Sequence, residues 1–326
     1  MHFSRLRFFC RVTAAAYHTQ PCSLIAGCLS ALMLSSCAPM ATRAPLAGTA
    51  WDVNNQRMLP VSDVLRQASV ADIVLLGETH DNADHHILEA TFLDALAAKH
   101  SAVLAMEQYD LEQQPALDAI AQSVADQPAR LEALRRLMGA GWEWAGYRPL
   151  LATALQQNIP VVAANASRGM LRQVSTQGFV ALGPGRAEQL QLDTGWRLAQ
   201  QTLLSNEIAE GHCGSLPAQA VNAIALAQRA RDALMADRIL AQSSSPVIAI
   251  LGRAHVRHDL GVPVYLRQRA GQRRFISVAL VESGENAVPT DYDRSRLGAL
   301  YDFVLFTRPL PRKTDPCAAF APTVAK

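Results

Sequence analysis

The most constraining feature of the chain is a pattern that occurs twice: an apolar run ends in glycine, and a histidine follows three residues later. The first copy runs from Gly77 to His80 and the second from Gly252 to His255. A short apolar run of this kind is typical of a buried strand in a parallel sheet. The carboxyl ends of parallel strands meet at one edge, where open α/β sheets bind their ligands. We therefore expect His80 and His255 to be neighbours at that edge.

Two further apolar runs end in polar side chains, at Glu107 and Asn165. A single Gly-x-x-His match is also explained by a glycine that makes a strand-to-helix turn and a histidine that caps or lines a loop. Four apolar runs that end in His, His, Glu and Asn favour a functional site over that explanation.

Strand-like runs alternate with segments of helical spacing, which predicts an α/β fold with a mostly parallel sheet flanked by helices. We assign residues 51–184 and 243–326 to this α/β domain. Residues 185–242 contain no convincing strand and read as two long helices broken at residues 211–214. They form a smaller, inserted helical subdomain. Helices are also predicted at residues 83–99, 114–125, 128–138, 147–157 and 256–269, the last delayed by Pro263, and the last two strands at residues 275–281 and 301–306.

The first 36 residues have the features of a signal peptide. Three arginines precede a short apolar stretch, residues 22–34, which is too short to span a bilayer. Residues 34–37, Leu-Ser-Ser-Cys, resemble the bacterial lipobox, which implies that Cys37 becomes the lipidated first residue. Ala38 after the cysteine favours the outer membrane over inner-membrane retention, by analogy with other lipoproteins. Residues 37–50 are rich in Ala, Pro and Thr and read as a membrane tether.

Charge and cysteine content fit an envelope protein. The full chain has a formal net charge of +2, and removal of the three arginines in residues 1–36 leaves −1. Nucleic-acid binding needs a basic face, so we expect no nucleic-acid partner. Of the cysteines outside residues 1–37, Cys213 and Cys317 remain, and we predict that they form a disulfide.

Several motifs together resemble the ChaN family of haem-binding lipoproteins, which is grouped with the Tiki and TraB proteins and the erythromycin esterases. The matching segments are residues 77–82, 84–86, 106–107, 147–150, 165, 231–236, 252–257 and 261–263. The resemblance implies an α/β domain with a smaller helical one. It also implies haem binding by paired subunits, that is a homodimer, at the bacterial surface, and a role in iron acquisition.

The first functional hypothesis is therefore a haem-binding lipoprotein. Haem needs an apolar slot, an axial side chain such as Tyr or His, and donors or cations for its propionates. His212 is the one histidine of the predicted helical subdomain, and Tyr147 is one of several tyrosines available to the iron. Asn165 and Arg253 are the further cofactor-binding candidates.

The alternative is a metal-dependent hydrolase, as the Tiki and esterase relatives suggest. Two imidazoles and two carboxylates suit a divalent ion such as Zn²⁺, Mn²⁺ or Co²⁺, with a position left for water. The candidate ligands and catalytic residues are Glu78, His80, Glu107 and His255. Without metal, either histidine could act as the general base with a glutamate orienting it, and Asn165 and Arg253 would hold an anionic or carbonyl group. A second alternative is a non-catalytic, partner-binding lipoprotein.

Overall fold

A computed structural model describes residues 46–98, 101–242, 246–284, 287, 300–312 and 317. The predicted signal peptide (residues 1–36), Cys37 and the tether up to residue 45 lie outside the described residues. Leu46 is buried and a strand begins at Thr49, so the end of the predicted tether is already part of the fold.

The described residues contain one eight-stranded sheet with the strand order β2-β1-β8-β7-β3-β6-β4-β5. The six strands from β8 to β5 pair in parallel, whereas β1 pairs antiparallel with both β2 and β8. The strands are β1 (Thr49–Asp52), β2 (Arg57–Pro60), β3 (Ile73–Glu78), β4 (Val103–Asp110), β5 (Val161–Asn165), β6 (Val247–Gly252), β7 (Phe275–Glu282) and β8 (Phe303–Thr307). The predicted α/β class with a mostly parallel sheet is confirmed.

Helices cover both faces of this sheet, so its central strands are buried on both sides. Along β3, Ile73 and Leu75 join one apolar core and Val74 and Leu76 the other. Successive side chains of a strand point to opposite faces. A continuous apolar run is therefore required wherever both faces pack against helices.

The helices of the described residues are α1 (Val61–Ala68), α2 (Ala83–Ala97), α3 (Gln114–Ala121), α4 (Gln127–Met138), α5 (Trp144–Gln156), α6 (Arg168–Gln177), α7 (Arg186–Gln189), α8 (Leu198–Gly211), α9 (Ala218–Leu240) and α10 (Val262–Arg269). The helices α2 to α5, α9 and α10 correspond to predicted segments, whereas α1 and α6 were not predicted, and the first of the two long helices expected in residues 185–242 is divided into α7 and α8.

Two helix starts have clear local causes. The Asn82 side chain accepts hydrogen bonds from the N–H groups of Asp84 and His85 and so caps α2. The helix predicted at residues 256–269 begins only at Val262, with Pro263 in its first turn, where the missing N–H of proline has no cost. A 3-10 turn, Arg253–Val256, fills the space between β6 and α10.

Residues 185–242 are all described and contain α7, α8 and α9 but no strand, as expected. The long helix α9 packs with its later half against β5 and α10, and with its earlier half against α8. The boundaries of a separate helical subdomain stay a prediction. At the turn between α8 and α9, Cys213 is disulfide-bonded to Cys317, with a Cα–Cα distance of 5.8 Å, as predicted. Within the described residues, no helix is both long and apolar enough to cross a membrane.

Candidate functional site

The strand order brings together the four strand ends singled out in the sequence. Strands β3, β6, β4 and β5 are consecutive neighbours. Their carboxyl ends, which we call the rim, hold His80, His255, Glu107 and Asn165. The expectation that the two histidines meet at one edge of the sheet is confirmed.

The two glycines of the repeated pattern make this convergence sterically possible. A Cβ on Gly77 would lie 2.3 Å from Val256 Cγ2 and 3.0 Å from Arg253 Cα, so the 3-10 turn after β6 packs onto β3 only because Gly77 has no side chain. A Cβ on Gly252 would lie 3.1 Å from the Nε2 atom of His80. Each glycine therefore leaves space for the segment that follows the other strand.

The carboxylate of Glu78, at the end of β3, is the centre of a buried hydrogen-bond network. Its Oε1 atom lies 2.9 Å from His80 Nδ1, and it accepts hydrogen bonds from Gln108 Nε2 at 2.9 Å and from the Tyr147 hydroxyl at 2.6 Å. Three partners on one oxygen hold this carboxylate, and with it His80, in a fixed position.

Burial and these contacts shift the pKa values of the pair in opposite directions. Burial alone would raise the pKa of Glu78, but the hydrogen bond from His80 and the proximity of His86 hold it at about 2. Burial alone would lower the pKa of His80, but the hydrogen bond and charge of Glu78 outweigh it and raise that pKa. Glu78 is therefore an anion that orients His80 and stabilises its protonated form.

His255, in the 3-10 turn after β6, has two carboxylate neighbours. Its Nδ1 atom lies 2.5 Å from Asp232 Oδ1 on α9, and its Nε2 atom lies 3.5 Å from Glu107 Oε1 on β4. The other oxygen of Glu107 accepts the Gly252 N–H at 2.6 Å. Burial alone would lower the pKa of His255, but the charges of Asp232 and Glu107 outweigh it and raise it.

The rim does not assemble the predicted four-ligand metal site. Among the described residues, the ligand atoms of Glu78, His80, Glu107 and His255 do not lie mutually within 4.8 Å. The reason is that their polar atoms already bond to each other in separate pairs and to backbone or tyrosine donors. These four side chains do not converge on one point in this structure, and their binding of one ion stays a prediction.

A polar cavity of about 790 Å³, which we call the rim cavity, opens in front of this network. The His80 side chain is 43% exposed, and its ring meets the Trp142 ring edge-on at a centroid distance of 4.8 Å. The other lining residues that matter chemically are Glu107, Asp110, Asn165, Ser167, Arg168 and Arg231. The two guanidinium groups can bind an anionic group of a ligand, and the carboxylates of Glu107 and Asp110 line the same cavity.

A second cavity of about 210 Å³ lies between α8, α9 and the turn after β6, and we call it the helical cavity. His212, at the end of α8, lines it, and its Nδ1 atom lies 2.7 Å from the Ile208 carbonyl oxygen. The apolar lining residues include Leu204, Ile208, Ile224 and Leu260, and the charged ones include Arg257 and His255.

The remaining predicted cofactor residues lie in different places. Tyr147 is fully buried and its hydroxyl donates to Glu78, so this structure places it in the carboxylate network and in the lining of neither cavity. Asn165 lines the rim cavity rather than the helical cavity. Arg253 is exposed and directly precedes Ala254, which lines the helical cavity.

A buried cluster lies behind the rim and was not predicted. Glu78 Oε2, His86 and Glu89 offer ligand atoms that all lie within 4.8 Å of one another. Burial and the neighbouring charge of Glu78 raise the pKa of Glu89 well above its ordinary value. The available signal was the i, i+3 spacing of His86 and Glu89 on α2, which puts two polar side chains on one helix face. Asp232 was also missed, although it stands within the matched segment 231–236.

No curated protein sequence matches the chain. A solved structure of ChaN of Campylobacter jejuni, with cofacial heme binding, is similar, with a TM-score of 0.63 and 18% identity over 78% of this chain and 95% of that one. At this identity the likeness establishes the fold.

Two more distant structures are the type III effector HopBA1 and an erythromycin esterase EreC mutant. Their TM-scores are 0.43 and 0.41 at 14% identity each, covering 77% and 68% of this chain and 94% and 72% of theirs. Likenesses this weak carry no argument about function.

The family model described as haem-binding uptake, Tiki superfamily, ChaN matches residues 64–266. This span contains both Gly-x-x-His segments, all four strands of the rim and the helices around the helical cavity. The chain therefore belongs to the ChaN family of the Tiki superfamily.

Proposed function

We propose that this protein binds haem at the helical cavity. The chain belongs to a haem-binding family, and its helical cavity combines one imidazole with apolar walls. His212 lines this cavity together with Leu204, Ile208, Ile224 and Leu260, and this observation carries the proposal. Haem iron takes an axial imidazole and its macrocycle needs apolar contacts, so these side chains fit the group.

The geometry of His212 supports its role as the iron ligand. A carbonyl oxygen can only accept, so the 2.7 Å contact with Ile208 makes Nδ1 the donor, and the iron ligand of this proposal is Nε2. A hydrogen bond from the second ring nitrogen is the usual way in which proteins fix the orientation of a metal-binding histidine. Arg253, exposed beside the cavity, is the cation for a propionate, whereas Arg257 in the cavity is already paired with Glu207 and Asp259.

The size of the cavity favours a haem shared between two copies of the chain. Its volume of about 210 Å³ is below the roughly 300–1,000 Å³ of pockets that enclose a small-molecule ligand. One face of the macrocycle would therefore stay exposed. On α8, Leu198 is 82% and Leu203 37% exposed, which gives a second copy apolar surface to cover. The ChaN structure of Campylobacter jejuni is described as binding haem cofacially, and we propose a homodimer of the same kind here.

A hemin titration followed at the Soret band tests this proposal. The purified protein is expected to give a saturable Soret shift that His212→Ala weakens at least tenfold. His80→Ala, at the rim, is the control and should bind hemin like the unsubstituted protein. Equal hemin affinity and an unchanged spectrum in His212→Ala would contradict the role of His212. Sedimentation with and without hemin tests dimer formation, and Leu203→Glu should keep the complex monomeric.

We further propose that the protein is an outer-membrane lipoprotein anchored through Cys37, with a role in haem and iron uptake. The support is the arginine-bearing apolar leader and the Leu-Ser-Ser-Cys segment of residues 34–37. Mass spectrometry of the mature amino terminus should find a diacylglyceryl group on Cys37. A Cys37→Ser variant should leave the membrane fraction and reduce growth with haem as the iron source. An unmodified amino terminus at another residue would contradict the anchor.

A second candidate function is acid–base hydrolysis of an anionic substrate in the rim cavity. The observation that favours it is the orientation of His80 by Glu78 at one wall of a cavity that also contains Arg168 and Arg231. A histidine that a carboxylate holds in place is the usual arrangement of a general base. The guanidinium groups would bind a carboxylate or phosphate of the substrate.

Esters that differ in charge test this second candidate. An ester with a free carboxylate should be hydrolysed faster than its neutral methyl ester. The activity should be lost in His80→Ala and the preference in Arg168→Ala, whereas His212→Ala should keep both. Equal rates for the two esters, or activity that survives in His80→Ala, would exclude it.

A further inference from the structure

Beneath the rim, on the side of Glu78 that faces away from the rim cavity, two buried side chains of α2 point at its free oxygen. His86 Nε2 lies 3.0 Å from Glu78 Oε2, within ion-pair distance. The ligand atoms of Glu78, His86 and Glu89 lie within 4.8 Å of one another, a separation that one ion can bridge. The ring of Tyr147 packs on His86 at a centroid distance of 4.3 Å and closes the cluster on one side.

The polar atoms of this cluster have no hydrogen-bond partner within the described residues. This holds for both carboxylate oxygens of Glu89, for both ring nitrogens of His86 and for Glu78 Oε2. Glu89 is fully buried and His86 is 4% exposed. A buried carboxylate without a partner costs several kcal/mol, and such groups in folded proteins are normally paired or coordinate a metal. His86 Nε2 and Glu78 Oε2 have only their mutual 3.0 Å contact, and the Glu89 carboxyl group has no hydrogen bond, so the three side chains offer free ligand atoms around one point.

We propose that Glu78, His86 and Glu89 form a buried site for one divalent transition-metal ion. Two carboxylates and one imidazole provide oxygen and nitrogen ligands, the set that Zn²⁺ and Mn²⁺ use in proteins. The site differs from the predicted rim site: it shares only Glu78, and it uses Oε2, whereas Oε1 holds His80, Gln108 and Tyr147. The proposal is independent of haem binding, since the helical cavity does not include any of these three residues.

An ion in this position would stabilise the arrangement of Glu78 and His80 at the rim. It binds one oxygen of Glu78 while the other oxygen orients His80, so it fixes the carboxylate from behind. It would also connect the end of β3 to α2 through His86 and Glu89. Loss of the ion should therefore lower stability and release His80 without changing the helical cavity.

Metal content of the full-length protein tests the site. The protein is unfolded in urea with a chelator, then refolded and dialysed with Zn²⁺ or with Mn²⁺ added, and analysed by inductively coupled plasma mass spectrometry. We expect about one equivalent of one of these ions in the unsubstituted protein and a higher Tm than after refolding without metal. His86→Ala and Glu89→Gln should each weaken retention of the ion by roughly tenfold or more. The exposed Glu188→Gln is the control and should keep one equivalent.

The Glu89→Gln variant distinguishes two explanations of the cluster: Glu89 is a metal ligand, or it is only a neutral, protonated acid. Glutamine has the shape of the protonated acid, so this variant should fold and match the parent Tm if Glu89 is only a neutral hydrogen-bond partner. Such an unchanged Tm, or the absence of bound Zn²⁺ and Mn²⁺ from the refolded parent protein, would overturn the proposal. Loss of both the ion and the metal-dependent rise in Tm in Glu89→Gln would support it, with hemin affinity unchanged.

Discussion

The imidazole of His80 lies directly against the backbone of Gly252, which belongs to the neighbouring strand and stands 172 positions later in the chain. A Cβ at Gly252 would lie 3.1 Å from both His80 Cε1 and His80 Nε2, and 3.4 Å from Glu107 Oε2. The histidine of the first Gly-x-x-His segment thus packs on the glycine of the second. This contact requires a residue without a side chain at position 252.

Alanine at these two glycines should have unequal effects. At Gly77 the new methyl group would lie 2.3 Å from Val256 Cγ2 and 3.0 Å from the Arg253 backbone, which cannot move without shifting the turn. We expect Gly77→Ala to lower the free energy of unfolding by about 1–3 kcal/mol, the usual cost of overpacking. Gly252→Ala should cost less, because the atoms nearest to the new methyl group are side-chain atoms of His80 and Glu107 at 3.1–3.4 Å, so a shift of a few tenths of an ångström is enough. Urea denaturation of both variants measures the difference, and a larger loss for Gly252→Ala would contradict this packing.

The buried pair of Asp232 and His255 should be the most sensitive contact of the rim. Their 2.5 Å separation joins α9 to the turn after β6, and both side chains are about nine-tenths buried. Removal of one partner from a buried charged pair typically costs about 3–5 kcal/mol, because the other is left uncompensated. We expect Asp232→Asn to lower the free energy of unfolding by this amount in urea. Asp63→Asn, which breaks the exposed pair with Arg66, should change it by less than about 1 kcal/mol. Equal losses of unfolding free energy in the two variants would show that the buried pair contributes no more to stability than the exposed pair.

Asp302 gives the fold an acid-sensitive connection between β8 and β7. Its Oδ2 atom accepts the Ser277 N–H at 2.8 Å and lies 3.2 Å from His258 Nε2. Burial alone would raise the pKa of Asp302, but the hydrogen bonds from His258 and Ser277 outweigh it and hold the pKa below 3.8.

A carboxylate with a depressed folded pKa stabilises the protein above its unfolded pKa, and this contribution is lost as the pH falls through the folded value. Asp302→Asn should therefore be less stable than the parent protein at pH 6, and the difference should shrink below about pH 3.8. Denaturation midpoints from pH 6 to pH 2 measure it. A difference that is constant over this range would assign the effect to shape rather than charge.

The residues at the carboxyl edge of the sheet could be predicted from the sequence because a continuous apolar run indicates a strand that is buried on both faces. Buried parallel strands have little freedom in composition, and the residue after each run is placed at the rim by the strand order alone. This is why His80, Glu107, Asn165 and His255 were found together. The strands β1 and β2, at one end of the sheet, were missed, since four residues each give too short a pattern to recognise.

The partners of these residues could not be predicted from the same signal. Asp232 reaches His255 from the middle of a 23-residue helix, and His86 and Glu89 reach Glu78 from another. Helix positions that face a site depend on how the helix is rotated and packed, which the apolar pattern of α2 leaves open because His85, His86 and Glu89 are buried among its apolar residues. The predicted metal ligands also have hydrogen-bond partners of their own: Tyr147 donates to Glu78, and Asp232 pairs with His255. These partners are distant in sequence, so the pattern of apolar runs does not indicate them.

The disulfide between Cys213 and Cys317 should stabilise both the fold and the helical cavity. It closes a loop of 104 residues, for which the loss of chain entropy in the unfolded state is worth about 4–5 kcal/mol. Cys213 follows His212 directly, so the same bond holds the turn between α8 and α9 that carries the proposed iron ligand. We expect a Cys213→Ser, Cys317→Ser double variant to unfold at a lower urea concentration and to bind hemin more weakly. Dithiothreitol should have the same effect on the parent protein and none on the double variant. A parent protein whose urea midpoint and hemin affinity are both unchanged by dithiothreitol would show that the bond contributes to neither.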